Sequence, residues 1–242
     1  MNINTLAFKY SIRRSQRVKK TRIIVTPEKI EVVAPLRISE SKIHAFVKSQ
    51  QDWVMTTVDK IAQQTQNIAR LAPEKYVDGV TIPFQGQQVG IQIKPTSFKK
   101  IKIELNRQKI MLHLPVKIPE AEASEQIRLA LIACLKSHAL QEVKNIVDKY
   151  AWQANLYPRF IRIKTQKTRW GSCGAKNDIN LNWLLILAPK EVMEYVVVHE
   201  LCHIKERNHS SNFWQLVEAH LPDYKIQRKW LKHNGRYLMQ GL

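Results

Sequence analysis

The feature that most constrains this chain is the segment 196–203, VVVHELCH. It places two histidines, His199 and His203, four residues apart behind an apolar run. Side chains at this spacing on an α-helix are roughly 40° apart around its axis, so they project from one face about a turn apart. The segment therefore predicts a helix that is buried on its apolar side and turns both imidazoles toward one opening.

The residue types in this segment are those of a metal site. Two imidazole nitrogens at this spacing can reach one ion at about 2.0–2.1 Å, the usual bond length for Zn²⁺. Glu200 follows the first histidine, and a carboxylate in this place can take a proton from a water at the metal. The HExxH pattern therefore predicts that His199 and His203 are metal ligands and that Glu200 is a general base.

A third ligand is needed, because a catalytic zinc usually has three protein ligands and one open position. His209 follows His203 at the ligand spacing of the longer HExxHxxGxxH pattern. Glu206 stands where that pattern has Gly, so we expect Asn208, which tolerates a positive φ, to make the chain reversal. His209 is the predicted third ligand, and Glu218 on the next predicted helix is the alternative.

The cysteines add no second site. Cys202 lies between the two histidines but points in another direction, so we expect a buried spectator, whereas Cys173 lies near the site or in the core. Three cysteines in a chain of this length do not build a disulfide framework. The N-terminus lacks the pattern of a signal peptide, and no apolar run reaches the length of a membrane span. A cytoplasmic location is the expectation.

The order of predicted elements favours the α+β class. Period-two alternation predicts strands before residue 118, interrupted by one helix that begins near Glu40. The segment RIIVTPEKIEVVAP, residues 22–35, predicts a hairpin. From Glu120 onward helical periodicity dominates, and strands come first with helices later. We expect a strand-rich N-terminal region with a helix at 1–118 and a helical catalytic domain with a short sheet at 119–242.

The net charge of +19 indicates a field that attracts polyanions. Nucleic acid and phosphorylated small molecules are the partners that such a field suits, and weak binding without a biological role explains it equally well. We expect a peptide or nucleotide substrate, with nucleic acid or another polyanion as a further partner and no membrane. The densest run of cations is Arg13, Arg14, Arg17, Lys19, Lys20 and Arg22.

Five segments of the chain form a recognisable set of motifs. They are FVKSQQDWV (46–54), RWGSC (169–173), INLNW (179–183), VVVHELCH (196–203) and NHSSNFW (208–214). In this order they resemble the YgjP-like proteins, a family of metal-dependent hydrolases with a zincin-type catalytic domain and distant similarity to SprT-like proteases. The resemblance covers nearly the whole chain, implies a zincin-like catalytic domain at 119–242, and implies metal ligands His199, His203 and His209 and catalytic Glu200.

The resemblance also implies where substrate binds. The INLNW strand should border the site, and an edge strand beside a zinc site can pair with an extended peptide. Arg169, Trp170 and Asn182 are the expected substrate-binding residues. Arg169 suits an anionic substrate group or a transition-state oxyanion, although a structural salt bridge explains it equally well. Trp183 and Trp214 are expected in the core.

Three functions remain open at this point. The first is a zinc-dependent metallopeptidase, and the second is a metal-dependent nucleoside triphosphate pyrophosphohydrolase, although the chain has no P-loop. The third is a nucleic-acid-binding module with a structural zinc, which the position of Glu200 disfavours. Zinc is the expected metal of a three-histidine site, and nickel, cobalt or manganese can replace it.

Overall fold

A computed structural model describes residues 6–26, 29–66, 71–106 and 108–242. The chain divides into two units, Met1–Ala69 and Arg70–Leu242. Within the described residues the strands form three separate small sheets rather than one continuous parallel sheet, which confirms the predicted α+β class. None of the helices described is long and apolar enough to cross a membrane.

The first unit is a three-stranded sheet followed by two helices. Strand β3 is central, parallel to β1 and antiparallel to β2, and its Val32 and Ala34 share a core with Ile43 and Val47 of α1. The predicted hairpin is the β2–β3 pair, and Pro27 and Glu28 lie outside the described residues. The elements are β1 (Ser11–Arg14), β2 (Arg22–Val25), β3 (Ile30–Ala34), α1 (Glu40–Ser49) and α2 (Gln51–Gln66).

Two arginines of the basic run at 13–22 make contacts within the first unit. The Nε of Arg13 pairs with Glu31 at 3.0 Å, and a terminal nitrogen of Arg14 donates to the carbonyl of Leu36 at 3.1 Å. The remaining cations of the run are exposed, and the polyanion partner stays a prediction. These cations are Arg17, Lys19, Lys20 and Arg22.

The second unit has one core that is shared by its sheets and helices. The core joins Ile91 and Leu112 of the larger sheet to Leu131 of α3 and Val197 of α4. The sequence predicted a domain boundary at 118/119, between β7 and α3. The apolar face of the four-stranded sheet before this position packs into the same core as helices α3 and α4 after it. The elements are β4 (Thr81–Phe84), β5 (Gln87–Thr96), β6 (Lys102–Leu105), β7 (Lys109–Pro115), α3 (Glu120–Ala154), β8 (Phe160–Lys164), β9 (Gly171–Cys173), β10 (Asp178–Asn182), a 3₁₀ helix (Trp183–Leu187), α4 (Lys190–Cys202), α5 (Ser211–His220) and α6 (Tyr224–Leu238).

The short sheet β8-β10-β9 supports the segment that carries the histidines. Strand β10 lies in the middle, parallel to β8 and antiparallel to β9, and its Ile179 and Leu181 are fully buried. The expectation that the INLNW strand is an edge strand is therefore wrong, because both of its edges are paired. Strand β9, which contacts α4, pairs on one side only among the described residues.

The start of α4 is fixed by the turn between β4 and β5. The N–H groups of Gln85 and Gly86 donate to the carbonyls of Ile186 and Leu187 at 2.8 and 3.1 Å. Gly86 has φ +81°, and a Cβ there would lie 2.9 Å from the Cγ of Pro189, the residue just before α4. This packing, together with the burial of nine of the thirteen residues of α4, holds the helix in place up to its C-terminal end.

Candidate metal centre

Three histidines converge at the C-terminal end of α4. His199 lies in the last turn of α4, His203 directly follows that helix, and His209 lies just before the residue that caps α5. Their ligand nitrogens all lie within 4.8 Å of one another, and the Nε2 atoms of His199 and His209 are 3.0 Å apart. The structure thus brings His209, the predicted third ligand, to the predicted pair.

Aromatic side chains of α5 form the wall behind the histidines. The ring of Phe213, which is fully buried, lies 4.4 Å from that of His203, 4.8 Å from that of His199 and 4.9 Å from that of His209, between centroids. Trp214 stacks on His209 at 5.6 Å with 23° between the planes. These contacts restrict the rotation of the imidazoles and so hold their nitrogens together.

The turn after α4 determines which ring nitrogen of His203 carries the proton. The N–H groups of Lys205 and Glu206 donate to the carbonyl of Cys202 at 3.1 and 2.9 Å, which ends the helix. The carbonyl of Glu206 lies 2.9 Å from the Nδ1 of His203. Because a carbonyl only accepts hydrogen bonds, Nδ1 carries the proton, and the lone pair of Nε2 is free for a metal.

The chain reversal between His203 and His209 does not use a left-handed residue. Asn208 has no positive φ, so the expectation that it makes the turn in this conformation is wrong. The hydrogen-bonded turn after Cys202 reverses the chain instead. The Oγ of Ser210 then accepts from the N–H of Phe213 at 3.3 Å and starts α5.

The carboxylate of Glu200 is buried against the main chain of β9. Glu200 is 6% exposed, the N–H of Cys173 donates to its carboxylate, and a Cβ at Gly171 would lie 2.5 Å from its Oε1. Only glycine therefore fits at this place in the RWGSC segment. Burial raises the pKa of Glu200 to about 7, against the opposing charge of Arg169 and the hydrogen bond from Cys173.

Burial favours the neutral form of two of the three histidines. It lowers the pKa of His199 to about 3, with further lowering by the charges of His203, His209 and Arg228. Burial also lowers the pKa of His209. A neutral imidazole offers its lone pair without first losing a proton. Three imidazoles side by side fit a divalent transition metal, and zinc is the usual occupant of such a set.

A comparison with known families matches residues 19–234 to the YgjP-like family, described as a metallopeptidase domain. The chain belongs to the YgjP-like family. This confirms the resemblance inferred from the sequence motifs and makes the chain a metal-dependent hydrolase, whose family implies a divalent metal. No curated protein matches the chain significantly. Among solved structures, it is similar to the metallopeptidase zymogen abylysin of Pyrococcus abyssi, with 24% identity, a TM-score of 0.30, and coverage of 42% of this chain and 93% of that one.

Asn182, an expected substrate-binding residue, belongs to the scaffold of this YgjP-like chain. It is 1% exposed, and its Nδ2 donates to the carbonyl of Gln166 at 2.8 Å. Its Oδ1 accepts from the N–H of Leu184 at 3.3 Å and so caps the 3₁₀ helix. The amide is thus occupied on both sides and turned away from solvent.

Of the other two expected substrate-binding residues, one is open to solvent. The ring of Trp170 is partly buried beside Gly235 of α6, where an added Cβ would lie 3.4 Å from it. Arg169 is exposed, and its charge lowers the pKa of Glu200. Trp170 therefore packs against α6 and Arg169 is open to solvent, and substrate binding by either residue stays a prediction.

Among the described residues, neither Glu218 nor Cys202 belongs to the cluster of side chains that could hold an ion together. Glu218 is exposed and forms an ion pair with Lys225 at 2.8 Å. Cys202 is fully buried, and burial raises the pKa of its thiol to about 12, so it stays protonated as the predicted spectator. Cys173 lies near the site, where its main chain bonds Glu200.

Two arginines, Arg207 and Arg228, lie beside the centre but were not predicted from the sequence to be there. Arg207 donates to the carbonyl of Gly174 at 2.9 Å and thereby ties the turn after α4 to the β9–β10 connection. Arg228 of α6 lies 4.3 Å above the ring of Trp214. No periodic pattern marks either residue, because each reaches the site through tertiary packing.

We predict that Gly171→Ala destabilises the protein because the new Cβ overlaps the Glu200 carboxylate. Overpacking of a buried site costs about 1–3 kcal/mol of unfolding free energy. Chemical denaturation measures this loss. The matched control is Gly174→Ala on the same connection, where the nearest atom to an added Cβ is 3.6 Å away. Equal unfolding free energies for the two variants would contradict the contact between Gly171 and Glu200.

We also predict a pH-dependent gain in stability for Glu200→Gln in the metal-free protein. In the wild type, burial raises the pKa of this carboxyl from 4.5 to about 7, so between these values the folded state keeps a proton that the unfolded state loses. The wild type should therefore lose on the order of 3 kcal/mol relative to the variant as the pH rises through this window, with a plateau above it. Denaturation of both proteins at pH 4.5, 6 and 8 measures the difference, and a difference independent of pH contradicts the buried carboxylate.

Proposed function

We propose that this chain is a zinc-dependent peptidase in which His199, His203 and His209 hold the metal and Glu200 is the general base. The observation that carries the proposal is a converged histidine triad with a buried carboxylate on the same helix. A structural zinc site has no need of a proton acceptor beside its ligands. The pairing therefore favours catalysis over a nucleic-acid-binding module with a structural zinc.

Zinc suits this set of donors. Three neutral imidazoles with an open fourth position are a common ligand set of catalytic zinc sites. When bound, zinc supplies a Lewis acid that polarises the scissile bond and makes water more acidic. Nickel, cobalt or manganese can occupy the same donors in a given preparation.

Glu200 is the proton carrier of the proposed reaction. A pKa near 7 suits a group that must both accept and release a proton at neutral pH. The carboxylate takes the proton of the attacking water and then gives it to the departing amine. The N–H of Cys173 orients the carboxylate, and Gly171 allows the main chain of β9 to lie directly against it.

The edge of β9 is the proposed place for the peptide. This strand pairs with β10 on one side only among the described residues. The N–H of Cys173 is already used by Glu200, so an extended peptide would add as a further strand through the other main-chain groups of that side. Since β9 also contacts Glu200, a peptide paired there runs past the general base. Exposed Arg169 is the proposed group for an anionic part of the substrate or a developing oxyanion.

A second function, hydrolysis of a nucleoside triphosphate to release pyrophosphate, uses the same centre. The observation that favours it is that Arg169 and Arg228 are exposed and take part in no ion pair of the described residues. Cations of this kind bind phosphate well. The net charge of +19 fits a nucleotide as it fits an acidic peptide.

The ligand and base roles predict two different kinds of inactive variant. His199→Ala should lose both bound zinc and activity, whereas Glu200→Gln should keep zinc and lose at least about a hundredfold in kcat. Metal analysis and turnover of the purified proteins measure both. His233→Ala, which removes an exposed histidine on α6, is the control and should match the wild type. Normal turnover by Glu200→Gln would rule out the general-base role.

Separate incubations with the two classes of substrate can decide which bond is cleaved. We expect the zinc-loaded protein to produce fragments from an unfolded protein, and we expect Glu200→Gln to produce none. A parallel incubation with a panel of nucleoside triphosphates measures pyrophosphate release. Pyrophosphate release without peptide fragments overturns the peptidase proposal while leaving a metal-dependent hydrolase.

A further inference from the structure

Three arginines surround the metal centre, and they differ in what their guanidinium groups already bind. Arg207 is occupied, because it donates to the carbonyl of Gly174 at 2.9 Å and also contacts the side chain of Asn177. Arg169 lies on the side of the general base. Arg228 has no hydrogen bond and no ion pair among the described residues, although it lies beside the histidines.

Arg228 is held in place by a cation–π contact. Its Cζ lies 4.3 Å from the centre of the Trp214 ring, which stacks on Tyr224 at 5.4 Å with 14° between the planes. Tyr224 in turn stacks on the buried ring of Tyr195 of α4 at 6.3 Å. Since the contact with the indole engages no hydrogen-bond acceptor, the N–H donors of Arg228 remain free for one.

The same indole connects Arg228 to the proposed metal ligands. Trp214 contacts His209 at 5.6 Å and His199 at 5.7 Å between ring centroids. Arg169 instead lies two residues before Gly171, where the main chain of β9 contacts Glu200. Arg228 is therefore the arginine linked to the histidines, and Arg169 the one near the general base.

We infer that Arg228 is an anion-binding residue that fixes an oxyanion group of the substrate, a carboxylate or a phosphate, on the histidine side of the metal centre. An unpaired guanidinium with free donors in one plane matches the two oxygens of such a group. In the proposed peptidase, on which this form of the inference rests, the group is a peptide carboxylate near the cleaved bond. Arg228 is then a specificity residue that favours acidic or carboxyl-terminal peptides over neutral ones.

The test measures binding rather than turnover. Full-length zinc-loaded Glu200→Gln, in which hydrolysis is blocked, is titrated calorimetrically with two N-acetylated tripeptides that differ only in a free carboxylate or an amide at the C-terminus. Inorganic pyrophosphate is the third probe. Each titration is repeated with the Glu200→Gln protein carrying a second substitution, either Arg228→Ala, Arg228→Lys or Lys232→Ala. Lys232→Ala is the control, because it removes one positive charge, as Arg228→Ala does, from another exposed position on α6. Zinc content is measured for every protein.

We expect the carboxylate peptide to bind about tenfold more tightly than the amide, as a charge-assisted hydrogen bond provides. Arg228→Ala should abolish this preference with zinc content unchanged, Arg228→Lys should restore part of it, and Lys232→Ala should keep it. Arg228-dependent binding of pyrophosphate without peptide binding supports the anion site with phosphate as its ligand and overturns the peptidase proposal instead. Equal weakening of both peptides by Arg228→Ala, no effect of that change on any probe, or no binding of any probe overturns the inference.

Discussion

The carboxylate of Glu200 lies against the main chain of β9, so close to Gly171 that no side chain fits at that position. The N–H of Cys173 donates to the same carboxylate. Burying an ionisable carboxyl is costly unless it is hydrogen-bonded or takes up a proton. The protein uses both means, since the hydrogen bond and the charge of Arg169 limit a pKa that burial raises to about 7. The position of the short sheet depends on this contact, because β9 can approach α4 so closely only where a glycine faces the carboxyl.

Burial shifts the pKa of His199 in the opposite direction to that of Glu200. Burial favours the neutral imidazole, so the same dry environment that keeps a proton on Glu200 removes it from His199. Phe213 contacts all three rings, and the carbonyl of Glu206 fixes the tautomer of His203. The proposed ligands are thus oriented before any metal binds, and the lowered pKa values of His199 and His209 favour the neutral form that a metal needs. Both effects lower the cost of binding the ion.

The sequence predicted those parts of the site that helical periodicity controls. The four-residue spacing placed His199 and His203 on one helix, and the motif spacing identified His209, which the structure brings to them. Periodicity could not show that Asn182 is buried or that β10 is central, because both depend on pairing with distant segments. The contribution of Glu206 was missed for a related reason, since its carbonyl, not its side chain, contacts His203.

The histidines and Glu200 would serve hydrolysis of a peptide or of a phosphoanhydride equally well, so the choice between these bonds depends on the residues around them. A free strand edge selects an extended main chain, whereas unpaired guanidinium groups select oxyanions. This centre has both features, β9 with its unpaired edge and the exposed Arg169 and Arg228. A peptide that carries a carboxylate near the cleaved bond uses all of them together, while a nucleotide leaves the strand edge without a partner. We therefore propose acidic or carboxyl-terminal peptides as the substrates, because they would use the most features of this site.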